Sequence, residues 1–361
     1  MTADHHFLKW NDEIIGLIDS SDQVSFTKPL YNGVVALYTQ GARFWTTDQF
    51  TEFLAERMVS RDRRDIEKIL FRCGLSHYDP LRIAEITRGI HPKDLIWIAH
   101  TRDEKLESAM TAVFSAVFLQ RVDQTGDSID TPEGYNIKRY GVYAGQYGIY
   151  KQRIGPLITD VESEIAVYQL GQLLGVPCCP AFRADRDTVF SVFMYDFAHE
   201  YLVHFRRLFN GPRGEDEYRN LLEIRPQYRD QIARMILLDF ITRQDDRHLS
   251  NIAIKMHGQS ESFYPLYDNG RSLFYEDTEE MVARAVENVE QYATSFGFTG
   301  TYWDYVQEIA AERHDLRQLI NLNPDPADIA RILADAGFKG YRFDGALKWI
   351  IKACEMIKML A

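Results

Sequence analysis

Asn251 and Asp268 stand 17 residues apart, and the chain between them reads as a β-hairpin. Ile252 to Met256 and Phe263 to Tyr267 are β-rich runs flanking His257-Gly258-Gln259-Ser260, a turn-prone tetrapeptide. A hairpin sets its two strand ends side by side, so residues distant in sequence become close in space. Just upstream, Ile232, Ile236 and Phe240 give a strong helical stripe that runs into Asp245-Asp246-Arg247-His248-Leu249-Ser250-Asn251. Helix, polar loop and hairpin in this order predict that Asp246, Asn251 and Asp268 come together.

An acid, an amide five residues later and a second acid beyond a hairpin are the parts of a phosphoryl-transfer site. One carboxylate orients or deprotonates the attacking hydroxyl. An amide oxygen and a second carboxylate hold Mg2+ against the phosphates of ATP. The acid-to-amide spacing equals that of the protein-kinase loop H-R-D-L-x-x-x-N, and it selects Asp246 over its neighbour Asp245 as catalytic acid. Asn251 and Asp268 are the candidate metal ligands. Arg247 and His248 are expected to brace the loop. Lys151 closes a short β-like run, and Glu164 lies one turn into the helix after it; they form the candidate lysine–glutamate pair of a nucleotide site. Gly141, Gly145 and Gly148 read as a plain hairpin rather than a phosphate loop. Upstream, Gly134 and Lys138 are the candidate turn and cation for phosphate. No Walker sequence occurs.

The chain's 361 residues suit one large or two moderate domains. No apolar run approaches the roughly 18 residues of a membrane span. The first residues lack the blocks of a signal peptide. Four cysteines without a C-x-x-C pair point to a reducing cytoplasm. A net charge of −12 argues against an anionic membrane face and against nucleic acid as a partner of this chain alone.

Residues 1–30 are weakly patterned. Short helices are expected from Thr46 to about Ile98, the first opened by a capping box, Thr46-Thr47-Asp48-Gln49, and a later one by Asp79-Pro80. Tyr140 to Tyr150 and Val189 to Phe193 read as strands. Thr159-Asp160-Val161-Glu162 reads as a second capping box, opening a helix that stops at Gly175. Helices dominate from Asp277 onward. The expected fold class is α+β: a helical N-terminal region over 1–110, a small β-rich N-lobe over 111–195, and a large helical C-lobe over 196–361 that carries the chemistry.

Together these residues resemble the HipA-like Ser/Thr kinases. Three segments carry the resemblance: Asp160 to Pro177, Gln244 to Asn251, and Tyr264-Pro265-Leu266-Tyr267-Asp268-Asn269-Gly270-Arg271-Ser272-Leu273-Phe274. The resemblance implies a two-lobed protein-kinase-like fold, ATP and Mg2+ as cofactors, and a protein substrate with a Ser or Thr acceptor. It also implies an antitoxin partner and autophosphorylation, with Ser128 and Thr131 as the corresponding acceptor candidates. Asp-Asn-Gly replaces the Asp-Phe-Gly of eukaryotic kinases, and no long N-terminal β-domain is evident. Two other functions compete. Phosphatidylinositol-type lipid or small-molecule kinases also carry Asp-Arg-His-x-x-Asn. An inactive kinase-fold binding or regulatory module would use the N-terminal helices instead, yet has no need of Asp246, Asn251 and Asp268 together.

Overall fold

The computed structural model describes residues 6–27, 42–55, 57, 61, 66–72, 74–91, 95–110, 138–196, 200–208, 217–258, 260–293, 300–313 and 315–361. Along the chain come strands β1 (His6–Trp10), β2 (Glu13–Ile18), β3 (Val24–Phe26) and β4 (Phe44–Trp45). Helices α1 (Thr47–Ala55), α2 (Ile66–Arg72) and α3 (Pro80–Thr87) precede β5 (Ile96–Ala99), β6 (Lys138–Tyr143) and β7 (Gln146–Gln152). Helix α4 (Asp160–Leu174) is followed by β8 (Ala181–Asp185), β9 (Thr188–Val192) and β10 (Glu200–His204). Then come α5 (Phe205–Leu208), α6 (Glu217–Ile224), α7 (Arg229–Ile241), β11 (Ala253–His257) and β12 (Ser260–Phe263). Helices α8 (Glu279–Glu287), α9 (Tyr302–Glu312), α10 (Pro326–Ala336) and α11 (Gly340–Lys358) complete the chain. No helix among the described residues is long and apolar enough to cross a membrane.

The chain forms two compact units, which divide it differently from the expected segments. The first comprises Met1–Gln152, Tyr195–Val203 and Lys255–Glu261; the second comprises Arg153–Met194, His204–Ile254 and Ser262–Ala361.

In the first unit the expectation of a helical region over 1–110 is corrected. The three helices are present, but five strands in the order β4-β3-β2-β1-β5 make an antiparallel sheet beside them. The β-region that the sequence did not make evident is this sheet. Its pattern is hidden because Lys9, a charged residue, is buried in β1. The ammonium donates to the Arg102 carbonyl at 2.7 Å and lies over the Trp97 ring, so burial costs it no hydrogen bond. Leu8, Ile15, Ile18 and Val24 from the sheet meet Phe50, Leu54 and Ile83 from the helices in one apolar core. The Thr46 capping box forms: the Gln49 amide donates to the Thr46 hydroxyl at 3.3 Å and the Gln49 side chain accepts from the Thr46 amide at 3.0 Å. Asp79 caps α3 through the amides of Leu81 and Arg82.

Strands β6 and β7 form the hairpin that the glycine spacing suggests. Ala144 and Gly145, both at positive φ (50° and 79°), make its two-residue turn, which matches the twist of the strands.

In the second unit α7 is buried on nearly every face. Trp349 of α11 packs against it, and the indole N–H donates to the Phe240 carbonyl at 3.0 Å. Helix α4 ends at Gly175 as expected, but the second capping box is corrected. Thr159 makes no side-chain cap; its hydroxyl donates to the Tyr275 carbonyl at 3.3 Å. Glu162 binds Arg153 through two bonds of 2.6 and 2.8 Å and also meets Arg183 at 3.2 Å. Burial alone would raise the Glu162 carboxyl, but the Arg153 bonds outweigh it and hold it below its ordinary value. A tertiary ion pair has taken the carboxylate that a local cap would have used.

Candidate active site

The site is built on the C-terminal end of α7. Thr242 closes the helix, its hydroxyl donating to the Leu238 carbonyl at 2.9 Å. Arg243 then takes a left-handed conformation, φ 51°. Its guanidinium pairs with Asp277 at 2.9 Å and lies against the rings of Phe274 and Tyr292. Thus anchored, the chain turns back so that the Gln244 amide meets the Asp239 carbonyl at 2.8 Å. The buried Gln244 side chain does two jobs. Its oxygen accepts the backbone N–H groups of Asp245 and Asp246 at 2.8 and 3.0 Å, and its nitrogen donates to the Asp268 carbonyl at 3.4 Å.

Arg247 is the centre of the arrangement and is wholly buried, as is its partner Asp239. Nε and Nη2 grip the two Asp239 oxygens at 3.0 and 3.1 Å, a bidentate pair. Nη2 also donates to Asn269 Oδ1 at 2.6 Å; Nη1 donates to the Tyr267 carbonyl at 2.7 Å and the Asn251 carbonyl at 3.3 Å. One nitrogen therefore holds both ends of the 17-residue excursion. Burial opposes both charges and pushes the Asp239 carboxyl up. The guanidinium, under the same burial, is held above its ordinary value by the Asp239 charge. The strands are β11 and β12, so β12 ends earlier than the expected Phe263 to Tyr267 run. Leu266 bridges instead to Cys178.

Asn251 is buried, and its amide nitrogen donates to the Asp246 carbonyl at 2.8 Å. That bond fixes the flip of the amide and leaves Oδ1 as its acceptor face. His248 Nδ1 accepts the Ser250 amide at 3.2 Å, capping the short turn Leu249–Asn251. Asp268 takes a left-handed φ of 57°. Gly270 follows where a Cβ would come within 3.3 Å of the Asp160 carbonyl and of Glu164 Oε2, so a side chain would crowd α4. Glu164 is buried there, its Oε1 accepting from the Ser191 hydroxyl at 2.9 Å. Asp246 stays partly exposed, with Arg271 Nη1 at 3.6 Å and His248 Nε2 at 3.9 Å.

Of the residues named from sequence, Asp246, Arg247, His248, Asn251, Asp268 and Glu164 all belong to the second unit. Lys138 and Lys151 belong to the first, where they are register partners across the β6–β7 hairpin. Gly134, Ser128 and Thr131 lie outside the described residues. Sequence reasoning passed over Asp239, Arg243, Gln244 and Asn269. Asp239 did carry a signal: a lone acid inside Leu237-Leu238-Asp239-Phe240-Ile241 requires a buried partner.

The donors fit magnesium by their chemistry. They are hard oxygens, an amide and carboxylates, supplied by a loop whose backbone is fixed. No group of three or more His, Cys, Asp or Glu side chains among the described residues could hold a metal ion.

No protein-family model matches the sequence, and no curated protein does. Solved structures do. HipA of Shewanella oneidensis MR-1, from the toxin–antitoxin complex of HipA, HipB and operator DNA, superposes with a TM-score of 0.52 at 12% identity. The match covers 98% of this chain and 99% of that one. The Helicobacter pylori proinflammatory kinase CtkA matches with a TM-score of 0.48 at 13% identity, over 63% of this chain and 89% of that one. With nearly the whole of both chains aligned to HipA, the fold of this protein is α+β and HipA-like.

Proposed function

We propose that this protein is an ATP- and magnesium-dependent Ser/Thr protein kinase of the HipA-like type. The observation that carries the reading is the buried Arg247, which ties the carbonyls of Asn251 and Tyr267 and the side chain of Asn269 to Asp239. A buried ion pair of this kind is expensive to desolvate, and positioning is the return that phosphoryl transfer needs most. In this reading Asp246 accepts or orients the acceptor hydroxyl. Asn251 Oδ1 and the Asp268 carboxylate would hold Mg2+, which would supply neutralisation of phosphate charge. Lys151 and Lys138 supply cations to the nucleotide phosphates, and Glu164 is the helix carboxylate of the pair. The acceptor is a Ser or Thr hydroxyl of a protein, the chain itself included. A DNA-binding antitoxin and a cytoplasmic setting belong to the same reading.

The test is incubation with radiolabelled ATP and Mg2+, following label on protein for wild type, Asp246→Ala and Asp268→Ala. Wild type is expected to incorporate label, and Asp246→Ala to lose about 10²- to 10⁴-fold in rate. Asp268→Ala should also bind Mg-ATP more weakly by calorimetry. Normal labelling by Asp246→Ala would remove its assignment. ATP binding without label in wild type would point to a non-protein acceptor, and no ATP binding to an inactive scaffold.

A further inference from the structure

Arg271 follows directly on the Asp268-Asn269-Gly270 turn, and no feature of the sequence singled it out. Its backbone carbonyl accepts the Asp245 amide at 2.9 Å, which fixes the root of the side chain against the catalytic loop. The guanidinium stacks on the Tyr275 ring, and Nε donates to the Tyr275 hydroxyl at 2.9 Å. Nη2 lies 3.4 Å from Asp245 Oδ2 and Nη1 3.6 Å from Asp246 Oδ1. Asp245 is itself held by Tyr292, whose hydroxyl reaches Oδ1 at 3.4 Å. The side chain is therefore oriented from two sides yet remains 43% exposed. A guanidinium carries more N–H donors than these contacts use.

Where Asp246 touches the acceptor hydroxyl, that oxygen is in line with the phosphorus it attacks. A cation 3.6 Å from the Asp246 carboxylate is then within reach of the phosphoryl oxygens in transit. Negative charge spreads over those oxygens in the transition state, and a preorganised donor aimed at them lowers the barrier. We propose that Arg271 is a further catalytic residue, whose guanidinium contacts the phosphoryl group as it passes to the acceptor. The inference rests on the kinase reading above and goes beyond it in assigning Arg271. An arginine suits this place because its planar fork can bridge phosphoryl oxygens while Tyr275 and Asp245 hold its other edges. No bond of Arg271 forms or breaks: the phosphoryl group leaves the nucleotide, the acceptor oxygen gains it, and the acceptor proton goes to Asp246.

The experiment compares wild type, Arg271→Met and Arg271→Lys by steady-state kinetics. Calorimetry in parallel measures binding of Mg-ADP with and without aluminium fluoride, which imitates the phosphoryl group in transit. The methionine variant keeps the aliphatic stem against Tyr275, and a thermal melt checks its fold. Arg271→Met is expected to lower kcat by about 10²- to 10³-fold with little change in KM for ATP. It should bind Mg-ADP as wild type does but lose the extra affinity that aluminium fluoride confers. Arg271→Lys should fall between the two. Equal kcat and equal aluminium-fluoride affinity in Arg271→Met would overturn the assignment while leaving the kinase reading standing. A rise in kcat would also overturn it, since Arg271 would then be restraining Asp246. Wild type that binds no Mg-ADP would overturn the kinase reading, and this assignment with it.

Discussion

The loop from Gln244 to Asn251 and the β6–β7 hairpin place charged groups by opposite means. In the loop the organising charges are buried and paired: Arg247 and Asp239 have no solvent contact to speak of, and every bond Arg247 makes is to a named backbone or side-chain oxygen. In the hairpin the two lysines sit at partly exposed positions, and strand register sets Lys138 opposite Lys151. Only the short 3-10 turn Leu249–Asn251 is regular in the loop, so it borrows definition from an ion pair. The hairpin is defined by its ladder of backbone bonds. Removing one charge should therefore be ruinous in the loop and nearly silent for the stability of the hairpin.

The largest effect is expected for Arg247→Ala. It strands the buried Asp239 carboxylate and unties three oxygens at once. Removing one partner of a buried pair typically costs about 3–5 kcal/mol. Urea unfolding should show a loss of that size in the second unit, with phosphoryl transfer abolished in any folded remainder. Arg247→Lys should recover only part of it, because an ammonium cannot reproduce the bidentate grip. A loss below about 1 kcal/mol, the size of an exposed pair, would mean that the loop is held by something else.

A middle-sized effect should come from packing in the hairpin rather than charge. Gly141 faces Gly148 across the strands, and a Cβ at Gly141 would lie 2.3 Å from the ring of the buried Tyr150. Arg139 stacks on that ring at 4.8 Å, which limits how it can swing away. Gly141→Ala should therefore destabilise by about 1–3 kcal/mol, the usual range for overpacking, as read by thermal melts. Here Gly141 belongs to strand packing against Tyr150 and not to a phosphate cradle. A variant that melts as wild type and loses ATP affinity alone would reverse that assignment.

The two regions also differ in how much of them could be read beforehand. Strand β11, the stripe of α7 and the Thr46 cap were legible because each depends on neighbours a few residues away, whereas the second strand of the hairpin, expected over Phe263 to Tyr267, is Ser260–Phe263. Thr159-Asp160-Val161-Glu162 has the same local form as the Thr46 cap but fails as one. Arg153 and Arg183 claim Glu162, and no local rule weighs a tertiary partner. Lys9 hid β1 for a related reason: its partners, the carbonyls of Arg102 and Glu104, lie more than 90 positions away. Asp246, Asn251 and Asp268 were legible as a pattern. What assembles them was not, because Gln244, Asp239 and Asn269 act through backbone carbonyls and buried pairs that have no fixed spacing.

The smallest structural effect, and the sharpest use of the contrast, concerns the lysine pair. Directly opposed like charges on one face of a strand pair are mildly destabilising. Lys138 and Lys151 are register partners across the β6–β7 hairpin. Lys151→Ala should leave the melting transition within about 0.5 kcal/mol of wild type, as other surface substitutions do. Its affinity for Mg-ATP should nevertheless fall about tenfold to a hundredfold, the value of one charge-assisted bond to phosphate. Lys138→Ala should behave alike, and the double variant should be no less stable than either single one. Calorimetry and melts on the same samples read both quantities. Stability lost without affinity would make the lysines structural, as Arg247 is, and the difference between loop and hairpin would disappear.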